Sequence, residues 1–181
     1  MPTGFASPRV RARVAMAGVL LFASLAPAAA FAQTQRQLDV HGSYARGTTT
    51  ESKSWGGGAQ LQLVFGPASA PVRLGTSLGG DVLRPEGGGS MQWNASLDAV
   101  AQLGGSSTVT PYVGGSVGAN WSTGSEAAWS GARGGLETMA GVQVKLGASG
   151  SAPSLKVEER FGYVRGQEHT LTTRVGVVAS F

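Results

Sequence analysis

The chain has 181 residues with 14 Lys or Arg, 10 Asp or Glu and no cysteine, which excludes disulfide scaffolds and thiolate metal centres. A pI near 10 invites a nucleic-acid reading. Arg9, Arg11 and Arg13 lie at the amino terminus, however, and the remainder holds 11 bases (14 less 3) against 10 acids, too even a balance for a phosphate-binding footprint.

Those three arginines precede an apolar run over 14–25, and Ala30-Phe31-Ala32 follows ahead of Gln33. Basic region, short apolar core and small-residue site together predict a signal peptide over 1–32, leaving one mature domain over 33–181. The run is short for a transmembrane helix, and Pro27 interrupts it. No later apolar stretch is long enough to span a bilayer as a helix, so any membrane crossing must use strands.

Period-two alternation, punctuated by Gly, Ser, Pro and Thr, predicts eight strands over 37–46, 55–65, 72–83, 91–103, 108–121, 135–146, 155–164 and 169–181. The first sets Leu38, Val40 and Tyr44 against Asp39, His41 and Ser43. The fourth is the clearest: Met91, Trp93, Ala95, Leu97, Ala99, Ala101 and Leu103 alternate with Gln92, Asn94, Ser96, Asp98, Val100 and Gln102. In the seventh, Glu159 shares the parity of Val157 and Phe161. A bulge that turns it inward, a contact surface for a partner subunit or lipid-modified group, or plain alternation with Glu158 and Arg160 in the lumen and Glu159 outside would each account for that. The eighth places Val175, Val177, Ala179 and Phe181 on one side and Arg174, Gly176, Val178 and Ser180 on the other.

The spacing Arg174, Gly176, Ala179, Phe181 resembles the carboxy-terminal signal by which bacterial outer-membrane barrels are recognised and inserted. Pro111-Tyr112-Val113-Gly114-Gly115-Ser116-Val117-Gly118 resembles a strand start frequent in small barrels of the OmpA-like and OmpX-like group. The resemblance implies an all-β, eight-stranded, antiparallel up-and-down transmembrane barrel in the outer membrane of a Gram-negative bacterium. Both chain ends would then face the periplasm, with outer connections at about 47–54, 84–90, 122–134 and 165–168. Tyr44, Trp55, Trp93 and Trp121 would form an outer aromatic girdle, and Phe65 and Phe181 an inner one.

With the apolar parity turned to lipid, the inward acids are Asp39, Asp81, Asp98, Glu137 and Glu158, and the inward bases Arg73, Lys145, Lys156, Arg160 and Arg174. A lumen of balanced charge predicts a self-satisfying polar network that plugs the barrel, since buried charges are costly unless paired. The expected role is structural or interactive, in a monomer, with outer-membrane lipid or lipopolysaccharide and the barrel-assembly machinery as partners. No enzymatic activity, cofactor, metal or nucleic acid is expected.

A narrow channel, a lipid-modifying enzyme and a soluble lipocalin-like ligand-binding barrel are the alternatives. His41-Gly42-Ser43 has the His-x-Ser form of an outer-membrane lipid A deacylase, but its parity is polar where that family's catalytic groups face lipid.

Overall fold

The computed structural model describes residues 34–49, 52–67, 70–85, 90–104, 108–123, 132–149, 151–167 and 169–181. The segment read as a signal peptide lies outside them. Eight strands are present: β1 (Thr34–Gly47), β2 (Lys53–Phe65), β3 (Val72–Pro85), β4 (Ser90–Gln102), β5 (Val109–Thr123), β6 (Arg133–Lys145), β7 (Ser154–Val164) and β8 (Thr170–Ser180). Each pairs antiparallel with its neighbours in sequence, and β1 pairs with β8 to close the barrel. Closure leaves no edge strand to be satisfied by another chain.

Several strands run past their sequence-read ends because pairing continues where alternation fades. At the first hairpin, for example, Gly47 N–H donates to Ser52 O at 3.0 Å, which carries β2 back to Lys53. Phe181 falls just beyond β8, yet its N–H still donates to Arg36 O at 3.0 Å. Gly66 and Gly104 follow β2 and β4 with φ of 93° and 88°, a left-handed backbone suited to glycine at a turn.

The rows of paired residues climb steeply. From Val72 the row passes through Ala101, Val113, Ala140, Glu159, Thr173, Tyr44 and Trp55, then returns to β3 at Arg84. It leaves β3 near one end and rejoins it near the other. That stagger goes with strongly tilted strands around a narrow interior. We call the end bearing Thr34 and Phe181 proximal and the opposite end distal.

Faces are distributed inside out. Leu38, Val40, Leu61, Leu74, Leu78, Leu136, Val157, Val175 and Val177 are exposed on the outer surface, while Asp39, His41, Asp98, Lys156, Glu158, Arg160 and Arg174 are buried within. A lipocalin-like barrel would turn its apolar parity inward, so the observed facing excludes that arrangement.

Candidate functional site: the charged belt of the lumen

At mid-height, inward side chains of β1, β2, β3, β5, β6, β7 and β8 meet across the interior. Arg160 on β7 donates from Nε to Glu158 Oε1 at 2.6 Å, from Nη1 to Glu137 Oε2 at 2.9 Å, and from Nη2 to Gln60 Oε1 at 3.4 Å. Arg174 on β8 donates to the same Gln60 oxygen from Nη1 at 3.3 Å and to Asp81 Oδ2 from Nη2 at 2.8 Å. Gln60 therefore bridges two guanidinium groups that would otherwise repel. The Lys156 ammonium sits against Asp39 Oδ2 and lies 3.5 Å from Glu158 Oε1, whose partner oxygen Oε2 accepts from Tyr112 Oη at 2.8 Å.

His41 completes the belt between two carboxylates. Its Nδ1 is 3.2 Å from Asp39 Oδ1 and its Nε2 is 2.9 Å from Asp81 Oδ1. Across the belt Asp39, Asp81, Glu137 and Glu158 face Lys156, Arg160 and Arg174, with the His41 ring held between the first two. Ser43 Oγ adds a bond to Asp81 Oδ1 at 3.0 Å. His41 and Ser43 are thus consumed by lumenal carboxylates, an arrangement unlike an acyl-transfer pair open to substrate.

Glycine makes room for this packing. A Cβ on Gly141 would stand 2.7 Å from both Cζ and Oη of Tyr112 and 2.7 Å from Val157 O. The phenol lies over the bare Cα on its way to Glu158.

A smaller uncharged-to-acid cluster lies beside the belt. Ser77 Oγ and Ser96 Oγ are 2.7 Å apart, Ser96 Oγ donates to Asp98 Oδ1 at 2.8 Å, and Gln62 Nε2 donates to Asp98 Oδ2 at 3.2 Å. Asp98 therefore joins the interior through hydrogen bonds, without an ion pair among the described residues. Two sequence-read members stand apart. Arg73 faces the proximal lumen with a buried Nε that has no hydrogen-bond partner among the described residues, and Lys145, on the inward parity but at the proximal rim, is exposed.

A cavity lies on either side of the belt. The proximal one is about 70 Å³ and is lined by Gln37, Gln62, Arg73, Gln102 and Gln143 among others. The distal one, about 320 Å³, is lined by Gln92, Asn94, Asn120, Thr172 and Arg174 among others. No group of His, Cys, Asp and Glu able to hold a metal ion occurs among the described residues.

No protein-family model matches the sequence, and no curated protein does. Solved structures do. Neisserial surface protein A superposes with a TM-score of 0.61 at 14% identity, over 81% of this chain and 95% of that one. The chain has the fold of the small outer-membrane barrels. The N-terminal barrel domain of Pseudomonas aeruginosa OprF matches with a TM-score of 0.51 at 17% identity, over 82% of this chain and 100% of that one. OprG of the same organism gives 0.50 at 12% identity, over 82% and 95%. At these identities the likeness concerns architecture.

On the outer surface of this small-barrel fold, β7 keeps an unbroken register with β6 and β8, which excludes the bulge considered for Glu159. Its carboxylate points outward and accepts from Thr173 Oγ1 at 2.6 Å. Sequence reasoning saw the misplaced charge but not the cross-strand hydroxyl that partly satisfies it. Tyr44 and Trp55 pair at the distal end, as do Trp93 and Trp121, and all four are on the outward parity. Phe65 and Phe181 lie at the proximal end. His169 stacks on Phe161 with ring centres 5.3 Å apart and lies 5.1 Å from Tyr163, an aromatic group that alternation alone did not reveal.

Proposed function

We propose that the chain is an outer-membrane barrel protein with a closed interior, a structural or interaction element of the cell envelope and neither a pore nor an enzyme. The observation that carries this reading is the belt at mid-height. Arg160 and Arg174 reach across the barrel through Gln60, so charged side chains fill the space between the two cavities. Hydrated ions would need either a continuous aqueous path or mobile walls, and each belt member is tied to at least one partner on another strand. The apolar outer face supports lipid embedding, because an exposed band of this size in water would associate or aggregate.

The distal end faces the exterior in this reading, with insertion directed by the final strand: Arg174 and Gly176 turned inward, Ala179 and Phe181 outward. The mature chain follows cleavage after residue 32, works as a monomer, and meets the assembly machinery and membrane lipid as partners. Planar-bilayer recording of the refolded protein tests the closed interior. Silent membranes at moderate voltage are expected, and regular open-channel steps from pure wild-type protein would refute it.

A further inference from the structure

We infer that the distal rim of β1, β2 and β3 is a binding site for the phosphate groups of a phosphorylated glycolipid; this rests on the membrane reading above. Three cations gather there. Arg46 and Lys53 stand directly opposite each other across β1 and β2, both exposed and both on the outward parity. Like charges in that relation destabilise a strand pair. Arg84 on β3 shares their sector, opposite Trp55. No carboxylate among the described residues pairs with any of the three. Glu51 and Glu86 lie outside the described residues.

Tilt brings the three to one level. Going from Tyr44 through Trp55 to Arg84 along a paired row climbs roughly 6 Å, for strands about 4.8 Å apart and tilted about 40°. Arg46 and Lys53 regain that height by lying two residues further along their own strands. The outermost two, Arg46 and Arg84, are then two strand spacings and two residues apart, about 12 Å between Cα atoms.

Directly below the cations the surface becomes aromatic. Trp55 is 62% exposed and Tyr44 43%, and the Arg84 guanidinium lies over the Trp55 ring at 5.8 Å. An anion that neutralises this triad while its body lies against Trp55 and Tyr44 must be an amphiphile held in the bilayer. A phosphodiester headgroup carries one charge and answers only part of the triad. Phosphate monoesters carry about −1.5 to −2 each, so a sugar headgroup bearing two of them matches three cations spread over that distance. The described distal ends of β4 and β5 offer Met91, Trp93, Trp121 and Thr123 and no charge, which bounds the site on that side, and the Arg133 guanidinium, further round the rim, donates to the carbonyls of Arg165 and Gly166.

The test uses the refolded full-length protein in neutral detergent micelles, with retained lipid counted by native mass spectrometry. The probe is bisphosphorylated lipid A, compared with lipid A stripped of its phosphates and with phosphatidylglycerol. Wild type is expected to retain the phosphorylated form at least ten-fold more than the stripped form. An Arg46→Gln/Lys53→Gln/Arg84→Gln variant should lose that preference, whereas Arg133→Gln/Arg165→Gln, in another sector, should keep it. Circular dichroism establishes that each variant folds, and Arg84→Gln alone, expected to lose part of the preference, serves if the triple variant does not. Equal retention by wild type and the triple variant, or indifference to the phosphates, overturns the site. Phosphatidylglycerol held as well as lipid A overturns the glycolipid assignment. Failure of wild type to insert into phosphatidylcholine vesicles would instead strike at the membrane reading itself.

Discussion

Removing Arg160 should uncover the energetics of the belt. Its guanidinium holds Glu158, Glu137 and Gln60, and its side chain is 7% exposed. Arg160→Ala leaves two carboxylates without their main cation, while Lys156 remains 3.5 Å from Glu158 and Tyr112 still donates to it. Breaking one side of a buried pair costs about 3 to 5 kcal/mol. Water entering from the cavities above and below relieves part of that, so we expect the lower end, about 3 kcal/mol. Glu158→Gln on its own removes the complementary charge. The double variant Arg160→Ala/Glu158→Gln removes both and should cost at least about 1 kcal/mol less than the sum of the singles. Reversible urea unfolding in lipid vesicles, followed by tryptophan fluorescence, measures all three. An Arg160→Ala loss below about 1 kcal/mol, or strict additivity, would refute the view that the belt is a mutually satisfied network.

Other outcomes follow from the same geometry. Gly141→Ala should push Tyr112 off its shelf and cost about 1 to 3 kcal/mol in the same unfolding assay, because the new methyl meets the ring and the Val157 carbonyl. Leu78→Arg, mid-strand and 52% exposed on β3, should cost about 2 to 4 kcal/mol in lipid, and Leu78→Ala much less. Deleting Phe181 should lower recovery in the outer-membrane fraction far more than Ser180→Thr, and equal recovery would remove the terminal signal. Glu159→Leu should raise stability in vesicles if the carboxylate simply faces lipid; loss of a cross-linked partner at unchanged folding would reveal a contact surface instead.

Alternation made the strands legible because each face has its own solvent. Met91 to Leu103 could be read without the fold, and the parity of Asp39, Asp81, Glu158 and Arg174 followed. What parity cannot give is height. Arg73 and Lys145 share the inward parity with Arg160, but the stagger of the barrel puts them toward the proximal end, away from the acids of the belt. Height also decides that Gln60, an uncharged residue in an ordinary polar position, bridges two arginines from β7 and β8. His41 illustrates the same limit. Its polar parity beside Asp39 was visible, whereas its second carboxylate comes from β3, forty residues away in sequence. The gathering of Arg46, Lys53 and Arg84 at one rim likewise depends on register between three strands.

The central claim is that the apolar face meets lipid and the charged face is enclosed, and the absence of native cysteine makes it directly measurable. Single cysteines at Val40, Leu78 and Val177, all exposed on the outer face, can carry an environment-sensitive fluorophore, with Thr48 at the distal turn as the aqueous reference. In vesicles containing lipids brominated along the acyl chain, the three strand labels are expected to be strongly quenched and the Thr48 label little affected. Strand labels that escape quenching while the protein remains folded as a barrel would contradict the account.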